Sequence, residues 1–220
     1  MANAFASLRS RQARNDNGWC SKLMNMIIKY IFDRIFSLIL LVVLSPAVLV
    51  IYILHKIKMP KGRFLYRQVR IGKDGKPFRI FKIRTLKDNS EALGTITVAD
   101  DERVLPFGKW LRESKFDTFL ELINILIGDM SFVGPRPDVP GYADKLEGDD
   151  RVILKMRPGL TGPASIKYRH EDRILAQQSD PHKYNDEVIW PDKVKINKAY
   201  YENWSVWKDI SILWKTVFGK

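Results

Sequence analysis

The chain has 220 residues, with 37 basic and 25 acidic side chains and a formal net charge of +12 at pH 7, a length that allows one ordinary domain or a domain plus a membrane element. A single cysteine, Cys20, excludes an intrachain disulfide and suits a reducing compartment, and three scattered histidines (His55, His170 and His182) offer zinc no site. The charge is uneven: residues 1–54 sum to +4, residues 55–87 to +11 and residues 88–220 to −3. Such a basic stretch, directly after a long apolar run, is the pattern of a polybasic segment facing anionic membrane lipid. Neither a helix-turn-helix nor an RNP-type motif nor zinc-ligand spacing accompanies it, so the reading is membrane lipid and phosphate substrates, with no nucleic acid.

Residues 1–21 are polar and basic and read as a disordered or surface-lying lead-in. Residues 22–58 form the membrane element. Ile35 to Leu54 is 20 residues without a charge, enough for a helix about 30 Å long that would span a bilayer. Two features argue against a straight span. Ser45-Pro46 falls in its middle, where proline costs on the order of 3 kcal/mol unless the helix bends. Basic residues also flank both ends, Lys22, Lys29 and Arg34 before and Lys56, Lys58 and Lys61 after, and the positive-inside rule puts both ends on the cytoplasmic side. A re-entrant helix-break-helix at Ser45-Pro46 satisfies both, with the Ser45 hydroxyl bonding a carbonyl that the proline frees. Asp33 and Arg34, at the membrane edge, are expected to pair with each other or with nearby backbone. Residues 59–220 then make a single cytoplasmic α/β domain, rich in helix, with a small β-hairpin and amphipathic interfacial helices.

The hairpin is signalled by two β-prone runs, Phe64 to Arg70 and Phe78 to Arg84, around Gly72-Lys73-Asp74-Gly75. A phosphate-cradling glycine loop fails for want of a G-x-x-x-x-G-K-[ST] pattern. Asp88 to Asp101 reads as a polar loop that could cover a substrate, and a short helix then ends in Trp110-Leu111-Arg112. From Asp117 to Ile127, Leu120, Ile123, Leu126 and Ile127 recur at helical spacing and predict a helix with that stripe inward and Asp117 on its first turn. A carboxylate there faces unpaired N–H groups and is placed to act as a nucleophile or metal ligand. Glu121 follows one turn later, and Gly128 stops the helix. Arg112, five residues before Asp117, would attract phosphate, and Arg136, held between Pro135 and Pro137, presents a guanidinium from a stiff loop. Taken alone, Asp117 and Arg136 read more readily as a helix cap and a surface arginine on a proline turn.

Asp138 to Asp150 is an acidic loop-helix, and Arg157 to Pro163 is too rich in Pro and Gly for a helix interior and reads as a turn. Tyr200, Tyr201, Trp204, Trp207, Ile210, Leu213, Trp214 and Val217, interleaved with Lys193, Lys195, Lys198, Lys208 and Lys215, predict amphipathic helices at headgroup level, with core packing as the competing reading.

GDMSFVGPRP at Gly128 to Pro137, preceded by GKWLRESKFD at Gly108 to Asp117, resembles the signature of the bacterial sugar transferases that are monotopic phosphoglycosyl transferases. KYIFDRIFSLILLVVLSP, RQVRIGKDGKPFRIFKIRT, RPGLTGPASIKYR and WKDISILWKTV fall in the same family's order, so the likeness covers the chain from Lys29 to about Thr216. It implies transfer of a sugar-1-phosphate from a UDP-sugar to a polyprenol phosphate such as undecaprenyl phosphate, with release of UMP and with Mg2+, at the cytoplasmic face of the bacterial inner membrane. It also implies that Asp117 is the nucleophile of a covalent phosphosugar intermediate. By the same resemblance Lys82, Arg84 and Thr85 match a segment leading into the active site, which makes Arg84, with Arg112 and Arg136, a candidate phosphate ligand. One departure is plain: the family's Asp-Glu-Leu-Pro reads Asp117-Thr118-Phe119-Leu120 here. The glutamate implicated in metal binding is replaced by Thr118, a weaker ligand for a hard cation, and Glu121 is the carboxylate nearest to replace it. The alternative to an active enzyme is a degenerate member that binds nucleotide-sugar or lipid phosphate without turnover. The sugar, the glycan pathway and the presence of a homodimer stay open.

Overall fold

The computed structural model describes the backbone of residues 2–60, 62–87 and 102–219, with side chains from residue 24 onward. The expected covering loop, Asp88 to Asp101, lies outside the described residues. A long helix α1 (Ala2–Lys58) leads into the hairpin β1 (Leu65–Ile71) and β2 (Pro77–Ile83). There follow α2 (Pro106–Glu113), α3 (Glu121–Ile127), β3 (Ser131–Val133), β4 (Gly159–Thr161), α4 (Pro163–Lys167), α5 (Glu171–Ala176), α6 (Pro181–Tyr184), α7 (Trp190–Glu202) and α8 (Val206–Phe218). The result is a helix-rich α/β fold with, among the described residues, two small sheets, β1 antiparallel to β2 and β3 parallel to β4.

The backbone stays helical through Ser45 and Pro46, so the expected helix-break-helix is one helix with proline inside it. The local chemistry explains how it is tolerated. Pro46 has no N–H for the carbonyl four residues back, Val42, and the Ser45 hydroxyl donates to that carbonyl at 2.8 Å. From Met24 to Lys58 the helix is long and apolar enough, by length and composition, to cross a membrane.

One stripe of α1 packs on the domain from Lys29 to His55. Lys29, Asp33, Ser37, Ile51 and His55 are buried, and Leu40, Leu41, Leu44 and Val48 lie against the core between them, at the three- and four-residue spacing of a single helix face. The opposite side exposes Ile28, Phe32, Phe36, Val43, Val50 and Ile57. Lys29, Asp33 and Ser37 on the packed stripe are partnered, whereas both ring nitrogens of buried His55 have no hydrogen-bond partner among the described residues. Lys29 donates to Asp209 at 2.6 Å and to the Val133 carbonyl at 3.0 Å, the Ser131 hydroxyl donates to Asp33 at 2.6 Å, and Ser37 donates to the Leu122 carbonyl at 2.6 Å. Arg34 reaches the Ile127 carbonyl at 3.4 Å, so Asp33 and Arg34 each find partners on the domain.

The hairpin forms as expected, with Arg67 opposite Phe81 and the chain reversing through Asp74 (φ 60°) and Gly75 (φ 78°). The segment read as a turn is instead β4. Its glycines let two backbones touch: a Cβ on Gly159 would sit 2.2 Å from the Gly134 nitrogen, and one on Gly162 2.2 Å from the Gly134 oxygen. At the C-terminus only α8 has the expected amphipathic face, with Trp207 80% and Trp214 65% exposed. Helix α7 belongs to the core through Val194 and Tyr200, and two of its lysines pair with carboxylates of the domain, Lys193 with Glu171 and Lys198 with Asp150.

Candidate functional site

Asp117 does not open an α-helix. Lys115 takes a left-handed conformation (φ 60°, ψ 13°), and Phe116 to Thr118 then form a single 3-10 turn closed by bonds from Thr118 and Phe119 to carbonyls three residues back. Helix α3 starts four residues after Asp117, which rotates its faces. Glu121, Leu122, Asn124 and Ile125 are buried, while Ile127, expected inward, is 54% exposed. Gly128 stops the helix at φ 95°, its N–H on the Asn124 and Ile125 carbonyls.

Asn124 fixes this helix to β2. Its amide donates to the Arg79 carbonyl at 2.7 Å and accepts from the Phe81 N–H at 2.9 Å, so α3 is tied to the strand at the residue just before Lys82. Across that junction the Lys82 ammonium meets the Glu121 carboxylate at 3.3 Å, with side chains only 16% and 5% exposed. Burial pushes the Lys82 ammonium below its ordinary range. Glu121 opposes that, Arg136 adds to it, Asp117 opposes it and Arg70 adds to it. Those five groups therefore share one field. Within it, one carboxylate oxygen of Asp117 is closed off from solvent and accepts no hydrogen bond. The Thr118 hydroxyl is held on the Lys115 carbonyl at 2.9 Å.

Arg136 is exposed between two buried prolines. Its loop is clamped by the bonds Gly134 N–H to Thr161 and Gly159 N–H to Pro135, at 2.9 and 2.7 Å, and by Arg70, which donates to the Pro137 carbonyl at 3.1 Å. Asp138, next in the chain, is a carboxyl pushed up to about 6 by burial, against the pull of Lys193, Arg70 and Arg136. The other two predicted arginines stand at the end of β2. Arg112 donates to the Thr85 hydroxyl at 2.9 Å, and the Arg84 guanidinium lies 5.7 Å from the centre of the Tyr66 ring. The structure thus brings Asp117, Glu121 and Arg136 together around Lys82, and groups Arg84 and Arg112 around Thr85. Sequence reasoning placed Lys82 on the segment leading into the site without giving it a role, and passed over Arg70 and Asp138. The available signal for Lys82 was its parity with Arg84 on the strand.

Among the described residues, no group of three or more His, Cys, Asp or Glu side chains converges as a metal cage. Magnesium in phosphoryl-transfer sites needs less, one or two carboxylates with water and substrate phosphates. The unpartnered Asp117 oxygen and the Glu121 carboxylate fit that requirement.

Residues 24–219 match the family described as Bacterial sugar transferase. The UDP-glucose:undecaprenyl-phosphate glucose-1-phosphate transferase of Klebsiella pneumoniae is 33% identical over 201 residues, covering 89% of this chain and 40% of that protein. The undecaprenyl-phosphate galactose phosphotransferase of Salmonella typhimurium is 30% identical over 212 residues, covering 89% of this chain and 41% of the relative. The exopolysaccharide production protein ExoY of Sinorhizobium fredii is 30% identical over 207 residues, covering 87% and 84%. The chain therefore spans less than half of the first two relatives and most of the third.

Proposed function

The chain belongs to the bacterial sugar transferase family, and from that premise we propose that it transfers a sugar-1-phosphate from a UDP-sugar to polyprenol phosphate by way of an aspartyl-phosphosugar intermediate. The observation that carries the reading is the Asp117 oxygen, shielded and unpartnered in a field of cationic side chains. An acceptor atom left unsatisfied in a protein interior is costly, and a nucleophile is a reason to keep one. One Asp117 oxygen attacks the β-phosphorus, the bond from that phosphorus to the bridging oxygen breaks, and UMP leaves with the electron pair. A phosphate oxygen of the lipid then attacks the same phosphorus, releasing the carboxylate and forming a polyprenyl diphosphosugar. Lys82 and Arg136, with Arg70 behind them and Arg84 and Arg112 at the end of β2, neutralise the charge that spreads over the phosphoryl oxygens. A magnesium ion, when bound, would add countercharge at the diphosphate, and Glu121 with Asp117 are the residues to hold it.

Membrane seating follows from α1. Its packed stretch is held by the same domain at both ends, through Lys29 at one and Ile51 and His55 at the other, with Lys56 and Lys58 beside them, which supports a helix seated in one leaflet on the cytoplasmic face of the inner membrane without crossing it. A second reading, a member that binds nucleotide-sugar or lipid phosphate without turnover, draws on Thr118 standing in place of the family's glutamate. One experiment separates them. The full chain in lipid nanodiscs is incubated with a panel of UDP-sugars and analysed by mass spectrometry. A phosphosugar adduct on Asp117, accompanied by UMP and absent in Asp117→Asn, is the expected result, and no adduct with any sugar favours the second reading.

A further inference from the structure

The Lys82–Glu121 pair is loose for its setting. Charge-assisted N–H to carboxylate bonds close to about 2.7–2.9 Å, and the buried Lys29–Asp209 pair reaches 2.6 Å, whereas Lys82 stands 3.3 Å from Glu121. Its ammonium also feels a second carboxylate, Asp117, and the repulsion of Arg136 and Arg70. It is a shared cation, not a fully committed one. A diphosphate entering between Arg136 and Asp117 would bring more negative charge to that ammonium than Glu121 does. Once Lys82 turns toward phosphate, Glu121 becomes a carboxylate 5% exposed without its cation, a state that a buried charge does not sustain unpaired. A hard divalent ion relieves it.

Resting on the reading of this site as a UDP-sugar site, we infer that Lys82 and a divalent cation are alternative partners of Glu121. Without substrate the ammonium holds the carboxylate, and the arriving diphosphate draws the ammonium away and opens Glu121 to the ion. Lys82 is then a positioning residue as well as a phosphate ligand, and the order is nucleotide first, cation second. This arrangement suits a chain in which the residue after the nucleophile is Thr118 and carries no charge.

The test is direct binding of Mn2+, followed by electron paramagnetic resonance on the full chain in nanodiscs of neutral lipid. Wild type binds Mn2+ weakly without nucleotide, and Lys82→Met binds it at least tenfold more tightly. The double variant Lys82→Met with Glu121→Gln loses that gain. Adding UDP tightens Mn2+ binding to wild type about tenfold and changes Lys82→Met little. Should Lys82→Met be too unstable to assay directly, Mn2+ raises its thermal midpoint by several degrees and leaves the double variant unmoved. Mn2+ binding by Lys82→Met that matches wild type, or a gain that survives Glu121→Gln, overturns the inference even if Asp117 forms its adduct. A gain in Lys82→Met with no UDP effect in wild type overturns the exchange step and counts against the nucleotide reading, while leaving Glu121 as the ion's ligand.

Discussion

Lys29 and Lys82 are both sunk into this protein against carboxylates, and their surroundings are finished to different degrees. Around Lys29, Asp209 accepts from the lysine at 2.6 Å, from the Trp204 indole at 3.1 Å and from the Tyr200 hydroxyl, while Lys29 also reaches the Val133 carbonyl. Around Lys82 the pair is longer and Asp117 keeps an oxygen without a partner, while Asp138, beyond Arg136 in the chain, has its carboxyl pushed up to about 6 by burial. A saturated network has no capacity left for a ligand and fixes one arrangement of the elements it joins. An unsaturated one keeps its stabilisation in reserve for the substrate. The first joins α1 to α8 and β3, and the second surrounds Asp117, the proposed nucleophile.

Removing one member from each cluster should separate the two most sharply. Asp209→Asn leaves Lys29 buried without its counter-charge and is expected to cost about 3–5 kcal/mol in unfolding experiments on nanodisc-embedded protein. Asp117→Asn should change stability by no more than about 0.5 kcal/mol while abolishing the covalent adduct. An Asp209→Asn protein as stable as wild type would erase the distinction.

A smaller effect concerns pH. Because the Asp138 carboxyl titrates near 6 in the folded protein and near 4 when unfolded, the folded state binds more protons between those values, and stability falls as pH rises through that window. The loss is on the order of 2–3 kcal/mol at neutral pH, and Asp138→Asn should flatten the pH dependence of the thermal midpoint by that amount. Next, Gly159→Ala forces a Cβ against the Gly134 backbone and should cost about 1–3 kcal/mol, with transfer activity falling further than stability because the Arg136 loop moves. Smallest, Ser45→Ala removes the bond to the Val42 carbonyl and should cost about 1 kcal/mol, read as a drop of a few degrees in thermal midpoint.

The features readable in advance are those set by local chemistry. Gly72 to Gly75 announced the hairpin, Gly128 the end of α3, and Ser45-Pro46 the hydroxyl bond that replaces a lost amide. Asp117 could be singled out only through the family blocks around it, since by itself it reads as a helix cap. Its 3-10 turn could not, since nothing in Lys115 announces a left-handed residue. Three-residue strands such as β4 are too short to show a period, and its glycines serve a close backbone approach that becomes visible only when Gly134 is placed beside them. The burial of Lys82 was not legible because it depends on Glu121, 39 positions away, and Lys29 meets a partner 180 positions away.

The grip of the domain on α1 from Lys29 to His55 carries a practical corollary. In many anchored enzymes the hydrophobic leader can be clipped to release a soluble catalytic fragment. Here such a cut would strip Ile80, Ile83, Leu122 and Ile125 of the wall supplied by Leu40, Leu44, Val48 and Ile51, and the fragment would precipitate instead of dissolving. Anyone preparing this protein has to carry amphiphile along with it from the first step of extraction.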